Sequence, residues 1–320
     1  MRGPAPRLVV LRALKLGDFL TAVPALRALT RAFPGHERLL AAPAWLESLA
    51  RHAGVVSRVV DTPGLGPLDG SLDRADVAVN LHGSGPQSTA LLAATHPGRL
   101  HSFGRPGGPA WRDDEHERHR WCRLLRESGI PADPDDLHLD VPDVDLPDRA
   151  LGATVLHPGA SSGARRWPAT RWAAVARAEA GAGRRVVLTG DAGEVGLANE
   201  VADQAGLASS AVLAGRTALL ELLAVVAAAG RVVCGDTGVA HVASAMRARS
   251  VVLFGPTSPA VWGPPATGPH IALWSGSTGN PHATRPDPGL LAITVDDVVQ
   301  ALETLDLAPC GTGVSSAGRR

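Results

Sequence analysis

The chain has 320 residues, 45% of them hydrophobic and 19% charged, and 31 basic residues balance 31 acidic ones to a formal net charge of zero. That much apolar material excludes a disordered chain and admits either one large domain or two ordinary ones. The balanced charge excludes the basic surface by which proteins grip nucleic acid, leaving room only for a local patch.

In chain order, short runs rich in Val and Leu at 7–11, 38–42, 57–61, 76–80 and 99–103 read as strands. Helical stretches fall between them at 19–33, 44–53 and 87–94, and a longer one follows at 113–128. Within the first of these, Phe19, Val23, Leu26, Leu29 and Phe33 recur at spacings of three and four, which puts them on one helix face. Residues 130–150 are rich in Pro and Asp, lack a helical period and read as a linker. The alternation restarts with strands at 153–157, 185–189, 231–235 and 250–254, and helices at 169–181, 193–205, 217–229 and 238–245. An amphipathic segment at 294–305 closes the pattern, and 308–320 reads as a disordered tail.

Strand–helix alternation of this kind predicts an α/β fold with helices on both faces of parallel sheets. The expected architecture is two Rossmann-like, doubly wound domains facing a central cleft, at 1–150 (with the linker from about 130) and 151–307. Ligands of such sheets sit beyond the carboxyl ends of the strands, so chemistry belongs in the loops that follow them. Cys122, Cys234 and Cys310 form no CxxC pair, which fits a reducing cytoplasm. The apolar run at 8–11 is cut short by Arg12 and Lys15, so no signal peptide is expected. Nor does any run of about 18 uncharged apolar residues predict a membrane span.

Four loops carry polar chemistry. Arg12 to Phe19 (RALKLGDF) places Gly17 and Asp18 where the first strand hands over to the first helix, beside Lys15, the chain's single lysine. Asp18 there is either a helix cap or a general base. His157 to Pro168 (HPGASSGARRWP) offers Ser161, Ser162 and Arg165, the donor set a diphosphate needs, or else a solvated basic loop. Pro168 suits the first position of the helix after it. Cys234 to His241 (CGDTGVAH) runs from a strand into a helix; Asp236 or Thr237 can cap that helix, and Gly238 allows close approach to its exposed amides. His241, about one turn in, is either a further donor to the same anion or a core histidine. The fourth loop, Phe254 to Pro264, is rich in turn formers and carries one tryptophan, as a pocket wall would.

Other patterns fail. No GxGxxG follows the first strand, and no Walker A sequence or GxSxG elbow occurs. His116 and His119, in HERH, read as a solvated helix face rather than a metal site.

Taken together, VLRALKLGDFLTAVPALRAL, VLHPGASSGARRWP followed by VVLTG, and VVCGDTGVAHVASAM leading into VVLFGPTSP resemble glycosyltransferase family 9, the heptosyltransferase-like enzymes of GT-B fold. The resemblance runs from Leu8 to about Leu305. It implies inverting, metal-independent transfer of a sugar from a nucleotide diphosphate donor, typically ADP-heptose, onto a glycan or glycolipid such as lipopolysaccharide core. By position, Asp18 matches the family's catalytic base. Ser161 and Ser162 fall where hydroxyls lie near the diphosphate, and Asp236, Thr237, Gly238 and His241 match the D-T-G-x-x-H nucleotide motif. Arg165 stands where a phosphate-binding lysine is usual, and Lys15 and Gly17 are candidate acceptor or phosphate contacts. Residues 274–288 lack cysteines that many relatives carry there. No cofactor and no metal are expected, because cationic side chains and a helix terminus replace the divalent ion. The expected partners are the donor and acceptor, with no nucleic acid; a lipid-linked acceptor would favour docking at the inner leaflet. A sugar-nucleotide epimerase of the same fold and a non-catalytic nucleotide-sugar-binding protein remain as alternatives.

Overall fold

The computed structural model describes residues 5–105 and 107–307. The expected tail at 308–320 and Cys310 lie outside the described residues. The chain divides into two compact units, Met1–Leu137 and His138–Arg320.

The first unit alternates β1 (Arg7–Leu11), α1 (Leu16–Ala32), β2 (Glu37–Ala42), α2 (Glu47–His52), β3 (Arg58–Asp61), β4 (Val77–Asn80), α3 (Gln87–Ala94), β5 (Arg99–His101) and α4 (Glu117–Glu127). Its five strands are all parallel, in the order β3-β2-β1-β4-β5. Val9, Leu11, Leu39, Ala41, Val60, Ala78 and Leu92 form a buried cluster on this sheet. β1 is β-branched and apolar because it lies at the centre, covered on both faces. α1 begins earlier than the apolar spacing predicts, at Leu16: Asp18 sits in the first turn and accepts the Lys15 backbone N–H at 3.3 Å.

The second unit contains β6 (Thr154–His157), α5 (Ala169–Gly181), β7 (Val186–Leu188), α6 (Val195–Ala205), α7 (Leu219–Ala227), β8 (Arg231–Gly235), α8 (Gly238–Ala245), β9 (Ser250–Leu253), α9 (Pro259–Trp262), β10 (His270–Leu273), α10 (Pro288–Ala292) and α11 (Val295–Leu307). Its sheet is likewise all parallel, in the order β10-β9-β8-β6-β7. Trp167 and Trp172 pack edge to face at 5.3 Å within a core that includes Leu156, Leu188, Val233, Leu253 and Leu302.

Several features depart from expectation. β10, α9 and α10 were not expected; β10 is an edge strand held by β9 alone. Pro168 is the N-cap of α5, not its first helical residue. The HERH segment is only in part a solvated face: His119 is exposed, but Glu117 and Arg118 are buried, as are Arg120 and Arg123 after them, and His116 caps α4 by accepting the Arg118 N–H at 3.2 Å. These charges are buried because they pair: Glu117 with Arg12 and Arg120, and Arg123 with Glu115. The start of the Pro/Asp segment is docked rather than free, since Asp136 accepts from Arg27 at 2.8 Å and Arg31 at 2.6 Å.

Candidate functional site

Open parallel sheets bind ligands where the strand order reverses, because the loops there diverge and leave a crevice. In the first unit the reversal falls between β1 and β4, and in the second between β6 and β8. The polar loops singled out above border these two points.

At the first reversal Arg12 follows β1 directly and is fully buried. Its Nε donates to the Asp18 carbonyl at 2.8 Å, one amino group donates to the Leu81 carbonyl, and the other donates to Glu117 Oε1 at 3.1 Å and Thr21 Oγ1 at 3.3 Å. The guanidinium also lies 4.7 Å from the Trp121 ring centre, and Trp121 Nε1 donates to Glu117 at 2.9 Å. Asp18 thus leaves a rigid first turn, with one carboxylate oxygen 3.7 Å from Arg12 and the side chain 25% exposed. That exposure leaves its carboxylate accessible for proton transfer. Lys15 is exposed, and Gly17 is half-buried beside Asp18. His82, in the loop after β4, is half-buried with its Nδ1 unpartnered. Burial and the Arg12 guanidinium lower its imidazole below the usual value, while Asp18 pulls the other way.

At the second reversal Arg165 and the start of α8 converge. Arg165 Nη1 donates to the Asp236 carbonyl at 3.4 Å, and its Nε lies 3.8 Å from Asp236 Oδ2. Burial pushes the Asp236 carboxyl above the usual range, against the opposing effects of Arg165 and a hydrogen bond from Thr257. Thr237 occupies the N-cap of α8 but makes no capping hydrogen bond with its side chain. Three buried polar atoms here make no hydrogen bond: Arg165 Nε and Asp236 Oδ2, which face each other as an ion pair, and Thr237 Oγ1, which has no partner at all. A buried hydroxyl left unpaired costs on the order of 1–3 kcal/mol. A guanidinium and such a hydroxyl beside the first amides of a helix make a donor set suited to an anion.

The two serines differ. Ser161 is exposed, whereas the Ser162 hydroxyl donates to the Ala283 carbonyl at 3.1 Å and accepts from the Ala164 N–H at 3.3 Å. Ala164 in turn donates to Ala283 at 2.9 Å and accepts from the Asp287 N–H at 3.1 Å, so residues 283–287 buttress this loop. Gly163 is required there, because a Cβ would collide with the Thr284 backbone. His241 is buried and meets Trp262 edge to face at 5.8 Å, which brings the fourth loop's tryptophan to the same site.

A neighbouring pair went unnoticed in the sequence. His157 ends β6 and Glu194 follows β7; the His157 Nε2 lies 3.8 Å from Glu194 Oε2, and its Nδ1 bonds Thr189 Oγ1 at 3.2 Å. Burial lowers His157 to about 4 and raises Glu194. A Cβ on Gly159 would strike the Glu194 carboxylate, so that glycine makes room for it.

The expected site residues therefore form two sets. Lys15, Gly17 and Asp18 belong to the first unit; Ser161, Ser162, Arg165, Asp236, Thr237, Gly238 and His241 belong to the second. Arg12, His82, Glu117 and Glu194 were missed, although a charged residue directly after a buried strand, as Arg12 is after RLVVL, was a signal available in the sequence. Among the described residues, no group of three His, Cys, Asp or Glu side chains stands ready to hold a metal ion. No described helix is long and apolar enough to cross a membrane.

The model of glycosyltransferase family 9 (heptosyltransferase) matches residues 113–288. Lipopolysaccharide heptosyltransferase 2 of Escherichia coli is 37% identical over 106 residues, a stretch covering 32% of this chain and 30% of that protein. Among solved structures, a family 9 glycosyl transferase from Veillonella parvula superposes with a TM-score of 0.77 at 21% identity, over 96% of this chain and 99% of that one. The E. coli ADP-heptose lps heptosyltransferase II superposes with a TM-score of 0.75 at 23% identity, over 94% and 98%. These likenesses establish the fold as GT-B.

Proposed function

The chain belongs to glycosyltransferase family 9, the heptosyltransferase family, and from that premise we propose that it transfers a heptose-like sugar, with inversion, from a nucleoside diphosphate donor to a hydroxyl of a glycan or glycolipid. The observation that carries this reading is the Arg165 guanidinium and the unpartnered buried Thr237 hydroxyl set together at the start of α8. An apolar ligand would leave the threonine hydroxyl unpaired, whereas a diphosphate pairs with the guanidinium, that hydroxyl and the α8 amides together. Asp236 holds Arg165 in place, and His241, braced by Trp262, adds a donor. Glu194, in the segment between β7 and α6, suits the ribose hydroxyls, as a carboxylate after a strand does in other doubly wound sheets.

In the reaction, the acceptor oxygen attacks the anomeric carbon on the face opposite the diphosphate. Asp18 takes the hydroxyl proton as the new C–O bond forms, and the bond to the leaving diphosphate breaks. The charge gathering on that diphosphate falls to Arg165, His241 and the amides of Thr237 and Gly238. A donor aimed at developing charge contributes about 3–4 kcal/mol in other enzymes. With a guanidinium and a helix terminus in this role, we assign the reaction to the metal-independent class. By likeness to the E. coli enzymes, the donor is ADP-linked and the acceptor a lipopolysaccharide core sugar. The protein would then work in the cytoplasm, at the inner leaflet.

A thermal-shift series against ADP, GDP, UDP and dTDP, with and without EDTA, tests the donor site. Selective stabilisation by ADP that EDTA leaves unchanged is the expected result. No shift with any diphosphate at millimolar concentration overturns the reading.

A further inference from the structure

The first unit carries a residue that the scheme above does not use. His82 stands at the same reversal of strand order as Asp18, in the loop directly after β4. Its place is fixed three times over. Leu81 continues the β1–β4 pairing by donating its N–H to the Leu11 carbonyl at 3.1 Å. The Leu81 carbonyl accepts from the Arg12 guanidinium, the same group that holds the Asp18 carbonyl at 2.8 Å. The His82 N–H donates to Asn80 Oδ1 at 3.0 Å, and the fully buried Asn80 is itself held by Ser88 at 2.9 Å, Thr89 at 3.0 Å and Ser102 at 3.2 Å. One guanidinium thus ties together the two loops that present Asp18 and His82.

That much positioning serves a ring that makes no hydrogen bond to any described residue. The imidazole is half-buried: its Nδ1 is closed off from water without a partner, which leaves Nε2 as the ring nitrogen open to a ligand. Two buried histidines elsewhere have a ring nitrogen bonded, His157 to Thr189 at 3.2 Å and His270 to Ser250 at 2.9 Å. Burial and Arg12 both favour the neutral ring, which has one nitrogen free to accept an O–H.

The geometry points to His82 as a second acceptor-contacting residue, whose neutral imidazole takes a hydrogen bond from a hydroxyl neighbouring the one that Asp18 deprotonates. The acceptor is therefore a diol-bearing sugar rather than an isolated alcohol, and His82 selects which of its hydroxyls faces the carboxylate. This assignment rests on the reading of Asp18 as the base.

The test uses the full chain with ADP-heptose as donor and de-acylated lipopolysaccharide core oligosaccharide as acceptor. His82→Phe keeps the ring's bulk but removes its hydrogen bond, and His82→Gln keeps an acceptor and donor. The expected result is an acceptor KM raised about tenfold in His82→Phe and largely recovered in His82→Gln, the scale of one lost hydrogen bond. ADP affinity and the unfolding midpoint should stay at wild-type values in both variants. Histidine-labelled NMR should show the His82 ring resonances moving when the oligosaccharide is added. Wild-type transfer that survives in His82→Phe with unchanged KM overturns the assignment and leaves the transferase reading standing. Absence of both transfer and oligosaccharide binding by the wild type removes the transferase reading, and this assignment with it.

Discussion

Arg12 and Asp18 are joined at two points: the Arg12 Nε donates to the Asp18 main-chain carbonyl at 2.8 Å, and its Nη2 lies 3.7 Å from the Asp18 carboxylate. The buried cation therefore sets both the start of α1 and the direction of the side chain proposed as base. With Glu117 on the same guanidinium, the positive charge is shared between two carboxylates. Only the partly exposed Asp18 carboxylate, 25% accessible, is open to substrate.

Asp18→Asn should fold, bind ADP like the wild type and lose turnover by about 100- to 10,000-fold, the usual scale of a general base. Single-turnover rates alongside ADP titration check this. Near-normal rates in the variant would show that another group takes the proton.

Arg12→Met removes the donor from the Leu81 and Asp18 carbonyls and one partner from buried Glu117. Breaking a buried pair from one side costs about 3–5 kcal/mol, and urea unfolding should read a loss of that size. Arg12→Lys should recover little, because a point ammonium cannot reach carbonyls and carboxylate at once as the planar fork does. A loss below about 1 kcal/mol in Arg12→Met would contradict the network as a stabilising unit.

Thr237→Val preserves shape and deletes a hydroxyl that bonds nothing within the protein. Stability should therefore stay within about 0.5 kcal/mol of wild type or rise, because no hydrogen bond is lost and an unpaired polar group is removed. ADP should bind about tenfold more weakly, by calorimetry. Stability falling while ADP affinity holds would reverse the assignment of that hydroxyl to the ligand.

His157 supplies a pH signature. Burial, resisted by Asp191 and Thr189, holds it at about 4 in the folded chain, against 6.5 for the free group. The unfolded chain therefore binds the proton first as the pH falls. Stability drops from about pH 6.5 downward and levels off near pH 4, by on the order of 3 kcal/mol at most. Glu194 acts in the opposite sense, since its raised value makes the folded chain take up a proton earlier on acidification. Unfolding midpoints of wild type and His157→Gln across this window should converge toward the acid end. Parallel curves would mean that His157 does not titrate as described.

The two halves were legible in the sequence because strand and helix identity is carried by local periodicity. RLVVL, QSTALLAA and GVAHVASA fold where their local composition and flanking turn formers put them. The short edge strand HIAL escaped, since its hydrogen bonds come from β9 and not from its own pattern. HERH was read only half correctly for a related reason: His119 is exposed as expected, but Glu117 looks solvated until one sees that Arg12, 105 positions before it, neutralises it.

The sequence by itself determined the α/β alternation and the loops that carry Asp18, Arg165 and the D-T-G-x-x-H motif, because capping residues, glycines and turn formers act over a few positions. Tertiary structure alone decided which loops adjoin a reversal of strand order. It decided that Arg12 links the Asp18 and His82 loops, that Ser162 is engaged with Ala283, and that the Thr237 hydroxyl is left without a partner. Those properties depend on strand order and burial, which are set by contacts between distant parts of the chain. A polar atom's need for a partner becomes visible only once the fold has taken water away from it.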